Sequence, residues 1–278
     1  TYIGCCAFAG CSGLTGELKI PDSVTKIGKH TFYRCSGLTS VKISEGVTKI
    51  SDCAFICCSR LTSVTIGNGV KEIGEGAFCG CSGLTGELKI PDSVTKIGAG
   101  AFHDCSGLTG ELTIPGNVRE IGYAAFYDCS GLTGELKIPG SVIKMGYGAF
   151  SGCSGLTGEL KIPGSVKEIG ASAFDGCSRL TSVKICNGVT YIGDCAFSDC
   201  SGLTGELTIP GSATKIGSGA FNECKNVVIK SDIVHQADDG LIYVLNKKDN
   251  TAQLNSVLNK KLEKANILTR VMKGGKVY

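Results

Sequence analysis

All ten phenylalanines of the chain fall on one register: Phe8, Phe32, Phe55, Phe78, Phe102, Phe126, Phe150, Phe174, Phe197 and Phe221, 23 or 24 residues apart. A period held this strictly excludes an ordinary globular core. Each period must put the same side chain in the same place, so the chain coils into a solenoid in which every repeat adds one turn to a continuous stack. Other residues keep the same beat. Each phenylalanine is followed three residues later by a cysteine, from Cys11 through Cys105 to Cys224. Each is preceded five residues earlier by an isoleucine, from Ile3 and Ile27 onward, with Met145 the one substitute.

The copy from Cys81 to Phe102 serves for the rest. Leu84, Leu88 and Ile90 mark an inward strand face, with Glu87 and Lys89 alternating outward. Val94 and Ile97 form a second short extended segment, and their spacing of three requires a bend beside them. Ala101-Phe102 suits a single helical or 3₁₀ turn that drops the ring into the stack. Gly98 and its equivalents end the second segment (Ser51 is the exception), a place where positive φ would favour glycine.

The two repeat lengths have one explanation. Long copies read Leu-Thr-Gly-Glu-Leu, and their extra residue brings Gly16, Gly86, Gly110, Gly134, Gly158 or Gly205, as a bulge ahead of the strand requires. The same copies carry all six prolines, Pro21, Pro91, Pro115, Pro139, Pro163 and Pro210, just after the strand, where the missing N–H ends pairing. Short copies read Leu-Thr-Ser-Val and turn instead through Glu45-Gly46, Asn68-Gly69 and Asn187-Gly188. Nine strand gaps of about 4.8 Å give a stack near 43 Å long.

Seventeen cysteines would suggest a disulfide scaffold if they were irregular. Ten form one column, in which each member has two equivalent neighbours, a poor basis for unique pairs. A small buried hydrophobe with a weak donor fits that column better. Cys5, Cys6, Cys53, Cys57, Cys79, Cys186 and Cys195 are scattered, and no Cys-x-x-Cys pair suggests zinc. So many thiols point to a reducing or oxygen-poor setting, or to a few bonds among the scattered set. Residues 1–233 carry 20 Lys and Arg against 21 Asp and Glu, so no basic surplus favours nucleic acid. No run long enough to insert into a membrane occurs, and no lipidation or signal segment is visible.

No catalytic, cofactor or metal site is expected. His30 and His103 lie three coils apart, too far to share a metal, and no Ser/His/Asp arrangement forms. Asp104 and Asp128 occupy equivalent turns of adjacent coils, as do Asp199 and Glu223. Paired carboxylates could hold calcium or act as acid and base, but without further oxygen ligands they read as solvated turns. Two other features could carry recognition. One is the outward strand face, with Glu87, Lys89, Glu111, Glu135, Lys137, Glu159 and Lys161, which reads either as a self-compensating solvated surface or as a charged docking face. The other is a departure from the stacking code. Tyr123 and Tyr147 occupy successive coils where most copies have Lys, Asp, Glu, Ala or Ser, Tyr127 lies one turn along, and Ile143 replaces the usual Thr, Lys or Arg. Exposed aromatics of this kind favour interfaces, although a stabilising stack would look the same.

Two domains are expected: the solenoid over 1–233 and a non-repeat segment over 234–278. Toward the end of the first the code decays, with Ala213 for the usual valine and Cys224-Lys225-Asn226-Val227 for Cys-Ser-Gly-Leu, as in a capping repeat. In the second, Gly240–Leu245 suggests a strand and turn, and Leu254, Leu258, Leu262, Ala265 and Leu268 suggest an amphipathic helix over 251–269, with a strand-rich continuation into further repeats as the rival. Thr1-Tyr2-Ile3-Gly4 starts in mid-repeat, so further repeats or domains are expected at either end.

The pattern Cys-x-x-Leu-x-x-(x)-Leu/Val-x-Ile-Pro-x-x-Val-x-x-Ile-Gly-x-x-Ala-Phe-x-x-Cys, as in residues 81–105, resembles the treponemal-type leucine-rich repeat of the BspA-like family over roughly 1–230. The resemblance implies a curved, right-handed leucine-rich-repeat solenoid, mostly strands and turns, with a parallel β-sheet on its concave face. It also implies a secreted or cell-surface protein used in adhesion, with a protein or glycan ligand and no enzymatic activity. A structural spacer that projects another domain of a larger surface protein is the alternative.

Overall fold

Residues 1–231 form one continuous stack of about ten coils in the computed structural model, which also describes the two-residue strands His235–Gln236, Ile242–Tyr243, Met272–Lys273 and Lys276–Val277. Side chains are described for residues 1–230. The expected helix over 251–269 lies outside the described residues. Ile242–Tyr243, within the expected strand of the tail, pairs antiparallel with His235–Gln236.

Most coils contribute a longer strand and a two-residue strand, each paired in parallel with those of neighbouring coils, and no helix occurs among the described residues. The longer strand carries the alternation read from the sequence: Leu112, Leu136 and Leu160 are buried while Glu111, Lys137 and Lys161 are exposed. The shorter strand is a two-residue segment such as Lys96–Ile97 or Glu120–Ile121, its isoleucine buried. The ten phenylalanine rings stack face to face with centroids 5.1–5.4 Å apart and planes within 10° of parallel. That spacing lies within the favourable range for offset aromatic pairs, so the ring column and the backbone ladders share one repeat distance.

Around the phenylalanine the expected helical turn is not formed. In the fifth coil, Ala101, His103 and Cys105 donate their N–H groups three residues back, to Gly98, Gly100 and Phe102. The alternate residues Gly100, Phe102 and Asp104 donate instead to Tyr123, Ala125 and Tyr127 of the next coil, at 2.7–2.9 Å. Donors therefore alternate between the coil itself and its neighbour, which satisfies the arc without a helix. This geometry holds two columns in the left-handed region, two residues before and two after each phenylalanine. The first includes His30, Cys53, Ala124 and Ser172, the second Arg34, Cys57, Asp104 and Asp128.

The glycine column at Gly98 has a different cause from the one expected. Its members do not have positive φ. A Cβ on Gly98 would lie 2.6 Å from the carbonyl carbon of Gly74, and one on Gly122 would lie 2.5 Å from the nitrogen of Ala99. Close approach of successive backbones, and not a left-handed conformation, requires glycine here. Ser51, the exception, turns its hydroxyl onto the Ile27 carbonyl. The equivalent carbonyls Ile73 and Ile97 are taken by the amides of Gly98 and Gly122. The short-strand ladder is interrupted at this coil, and again between Lys144–Met145 and Glu168–Ile169, where methionine replaces isoleucine.

The bulge glycines behave as the repeat lengths imply. Gly16, Gly86, Gly110, Gly134, Gly158 and Gly205 all have φ between 73° and 84°. Where a long coil precedes a short one, pairing slips by one residue at that glycine: Gly16 faces Leu38 but Glu17 faces Ser40, and Gly158 faces Leu180 but Glu159 faces Ser182. Where a short coil precedes a long one the ladder stops. Ser63–Ile66 and Leu180–Ile185 each end a sheet segment, and the coil of residues 84–90 keeps its buried leucines with only a Gly86–Leu108 bridge.

The cysteine column is a hydrogen-bonded one. From Cys35 to Cys224, nine thiols each donate to the phenylalanine carbonyl of the preceding coil at 3.0–3.2 Å. All seventeen thiols are unpaired. Burial raises the Cys58 and Cys224 thiols to about 12, and it also pushes up those of the fully enclosed Cys153 and Cys177, which keeps them protonated donors.

Candidate functional site: an aromatic cluster beside an acidic ridge

Five large apolar side chains are markedly exposed among the described residues: Tyr2, Phe8, Tyr123, Ile143 and Tyr147. Tyr2 and Phe8 belong to the first described coil. The other three are on the sixth and seventh coils, with Tyr123 and Ile143 each 59% exposed. Tyr123 and Tyr147 stack with centroids 5.3 Å apart and an 11° interplanar angle. The stack is built by the repeat itself: each tyrosine follows a close-approach glycine, Gly122 or Gly146, so successive side chains inherit the spacing of the backbones beneath. Alanines 99 and 171 hold the same column position in the flanking coils, leaving the two outer ring faces uncovered by column neighbours.

Tyr127 belongs to a second column, one residue beyond the phenylalanine. One face of its ring stacks on His103 at 4.8 Å. Its Cδ2 lies 3.7 Å from where a Cβ on Gly148 would be, so it leans toward the seventh coil beside Tyr147. Carboxylates surround it. Asp128, then Asp175 and Asp104, push the Tyr127 phenol up, burial adding to the shift. Burial also raises Asp175 above the usual carboxylate range, with the charge of Asp199 in the same direction. On the opposite flank charge is neutralised: Glu120 is gripped by Lys144 at 2.9 Å and Lys96 at 3.2 Å, which together lower its carboxyl.

The four sequence-derived residues Tyr123, Tyr127, Ile143 and Tyr147 thus occupy neighbouring coils. The other candidates, Glu87, Lys89, Glu111, Glu135, Lys137, Glu159 and Lys161, are all exposed on the long-strand sheet, with Lys137 reaching Glu111 at 3.7 Å. Among the described residues no group of three His, Cys, Asp or Glu side chains is placed to hold a metal ion, and no helix is long and apolar enough to cross a membrane.

Ten stacked coils with parallel ladders and a leucine-led strand define a leucine-rich-repeat solenoid. The sequence profile of the BspA type leucine rich repeat region matches residues 1–109 and 108–228 in six copies, and the chain belongs to that family. A leucine-rich repeat protein from Bacteroides ovatus shares 25% identity at a TM-score of 0.54, over 83% of this chain and 78% of that one. A leucine rich cell surface protein from Faecalibacterium prausnitzii shares 28% identity at 0.44, over 84% and 83%. The Treponema pallidum leucine rich repeat protein shares 29% at 0.42, over 64% and 72%. No match was found among curated proteins. Repeats of this family serve protein–protein interaction in general.

Proposed function

We propose that this chain is a non-catalytic binding module that works outside the cell and presents the outer arc of its solenoid to a protein or glycan partner. One observation carries the proposal: the exposed large apolar side chains away from the first coil, Tyr123, Ile143 and Tyr147, cluster on two successive coils. A stack needs no tyrosine there, since Ala99 and Ala171 fill the same column without disturbing either neighbour. Exposed tyrosines held rigid by a backbone lattice give large contact area at little entropic cost, which is the property interfaces select. Family membership supports the same reading, because the defining positions of the repeat are core positions and leave the surface free to vary.

The test is a binding panel of extracellular-matrix proteins, mucins and glycans against the immobilised chain. It is run beside a Tyr123→Ser/Tyr127→Ser/Tyr147→Ser variant with an unchanged circular dichroism spectrum. A partner bound by the wild type and lost by the variant is the expected result. A partner held equally by both would move the site to the long-strand face of Glu111, Lys137 and Lys161. No capture by a stably folded wild type would favour a spacer that projects other domains.

A further inference from the structure

We propose that Cys57 and Cys79 form a redox-sensitive staple: exchange with a low-molecular-weight disulfide joins the two in a bond that ties the third coil to the fourth. The proposal goes beyond the binding-module reading and does not rest on it.

Three of the seven cysteines outside the repeat column, Cys53, Cys57 and Cys79, fall on these two successive coils, and each is half-buried. Cys57 and Cys79 are direct neighbours across the joint, since the Cys57 amide donates to the Cys79 carbonyl at 2.7 Å. Ladder neighbours on backbones roughly 4.8 Å apart have Cα atoms about 5–6 Å apart, inside the roughly 4.4–6.8 Å that disulfides span. The Cys57 thiol reaches toward its partner's coil. Its Sγ lies 3.4 Å from where a Cβ on Gly80 would be, so it rests against the residue that follows Cys79, in space that glycine leaves free. Cys53 takes the other flank: its Sγ and the Cys79 Cβ lie 3.3 and 3.8 Å from the Cβ position of Gly76. Burial raises the Cys79 thiol most, and among the charges that add to it Cys57 comes first, ahead of Asp104 and Cys53.

The place matters as much as the pair. Ser63–Ile66 ends a sheet segment, so the long-strand ladder does not run from the third coil into the fourth. A bond from Cys57 to Cys79 crosses that same joint and adds a covalent tie where one ladder is missing. The ninth and tenth coils supply an internal control. Cys195 Sγ lies 3.3 Å from the Cβ position of Gly219, as Cys53 does from Gly76, but Asn222 stands where Cys79 would be. The charges acting on Cys195 are those of Asp175, Asp194 and Asp199.

The chemistry takes two exchanges. Cys57 gives its proton to solvent and attacks one sulfur of the small disulfide. That S–S bond breaks, one small thiolate leaves and takes up a proton, and Cys57 carries the other half as a mixed disulfide. Cys79, the more hindered by its burial, then loses its proton and attacks the Cys57 sulfur, expelling the second small thiol. Two protein thiols are oxidised and one small disulfide is reduced to two thiols.

The experiment incubates the whole chain with oxidised glutathione, alkylates the remaining thiols, digests with trypsin and compares peptides by mass spectrometry with and without reductant. The expected product joins the peptide Ile50–Arg60 to the peptide Glu72–Lys89. It should persist in Cys53→Ser and be lost in Cys57→Ser and in Cys79→Ser, each checked for an unchanged circular dichroism spectrum. Cys195 should stay unlinked to any protein cysteine. The urea midpoint of the wild type should rise on linking and return when dithiothreitol is added, a shift that Cys57→Ser does not show. No link in the folded wild type, a link that survives Cys57→Ser, a Cys53–Cys57 bond within the third coil, or a link that leaves the midpoint unmoved would each overturn the inference. None of these outcomes bears on whether the tyrosine patch binds a partner.

Discussion

Gly122→Ala should destabilise the solenoid by about 3–5 kcal/mol, although it adds a single methyl group at a position with ordinary φ. The new Cβ would lie 2.5 Å from the Ala99 nitrogen and 2.6 Å from the Gly98 carbonyl carbon, where ordinary contact begins at 3.4 Å. Both neighbours are backbone atoms, so neither can rotate away. The fifth and sixth coils must part locally by about 1 Å. That strains the bond from the Gly122 amide to Ile97 (2.9 Å) and the pairing of Ile121 with Ile97. Two backbone hydrogen bonds at about 1 kcal/mol each and an overpacking penalty of about 1–3 kcal/mol give the figure. Three companions separate the causes. Gly134→Ala, at φ +80° with its nearest neighbour at 3.4 Å, should cost about 1–2 kcal/mol through left-handed strain alone. Gly140→Ala, with nothing within 4 Å, should be neutral or stabilise by about 0.4–1 kcal/mol. Gly122→Ser should recover about 1 kcal/mol relative to alanine, because the hydroxyl can take the preceding carbonyl as Ser51 does with Ile27. Urea unfolding followed by circular dichroism measures all four. A Gly122→Ala cost below that of Gly134→Ala would refute the close-approach argument.

Other outcomes follow from the same geometry. Phe126→Ala should cost about 3–5 kcal/mol, since the ring is buried and stacked on both faces, with centroids at 5.3 Å; thermal unfolding would show it. Near neutral pH a maleimide should label Cys5 first. Its thiol is exposed and lowered by the Tyr2 hydroxyl, the Lys29 backbone and nearby lysines, whereas Cys58, Cys153 and Cys224 should react only on unfolding, as mass spectrometry would report. Two carboxylates should respond to acid with opposite signs. The Lys144 and Lys96 contacts lower Glu120, so its contribution, under about 1 kcal/mol, is present above the usual glutamate range and lost as pH falls through its depressed folded value. Asp175 is raised, so it penalises the fold above its folded value and the penalty disappears as pH falls through that value. Asp175→Asn should therefore hold or slightly raise the melting temperature at neutral pH.

The coil was legible because its determinants recur ten times, so one misread copy could not hide the period. What stayed hidden was what recurrence conceals. Glycine at Gly98 and Gly122 looks the same whether φ or a neighbouring backbone demands it. Only Ser51 hinted at the answer, since serine tolerates crowding poorly but can replace an amide donor. The two truly left-handed columns escaped notice because their occupants vary from Gly76 to His30, Asp104 and Arg34, the backbone being fixed by alternating hydrogen bonds and not by residue type. Tyr123 and Tyr147 stood out as departures along the chain.

The interruptions in the two ladders fall on different joints. The short-strand ladder breaks between Lys26–Ile27 and Lys49–Ile50 and between Lys144–Met145 and Glu168–Ile169, while the long-strand ladder stops further along, after Ser63–Ile66 and after Leu180–Ile185. Like courses of brick laid with staggered seams, the described stack has no joint at which both ladders are cut. A rod built this way can change repeat length, and so re-aim its surface, without opening a plane of cleavage. A crack that starts at one seam meets an intact ladder on the opposite side and must shear sideways through the phenylalanine column to advance.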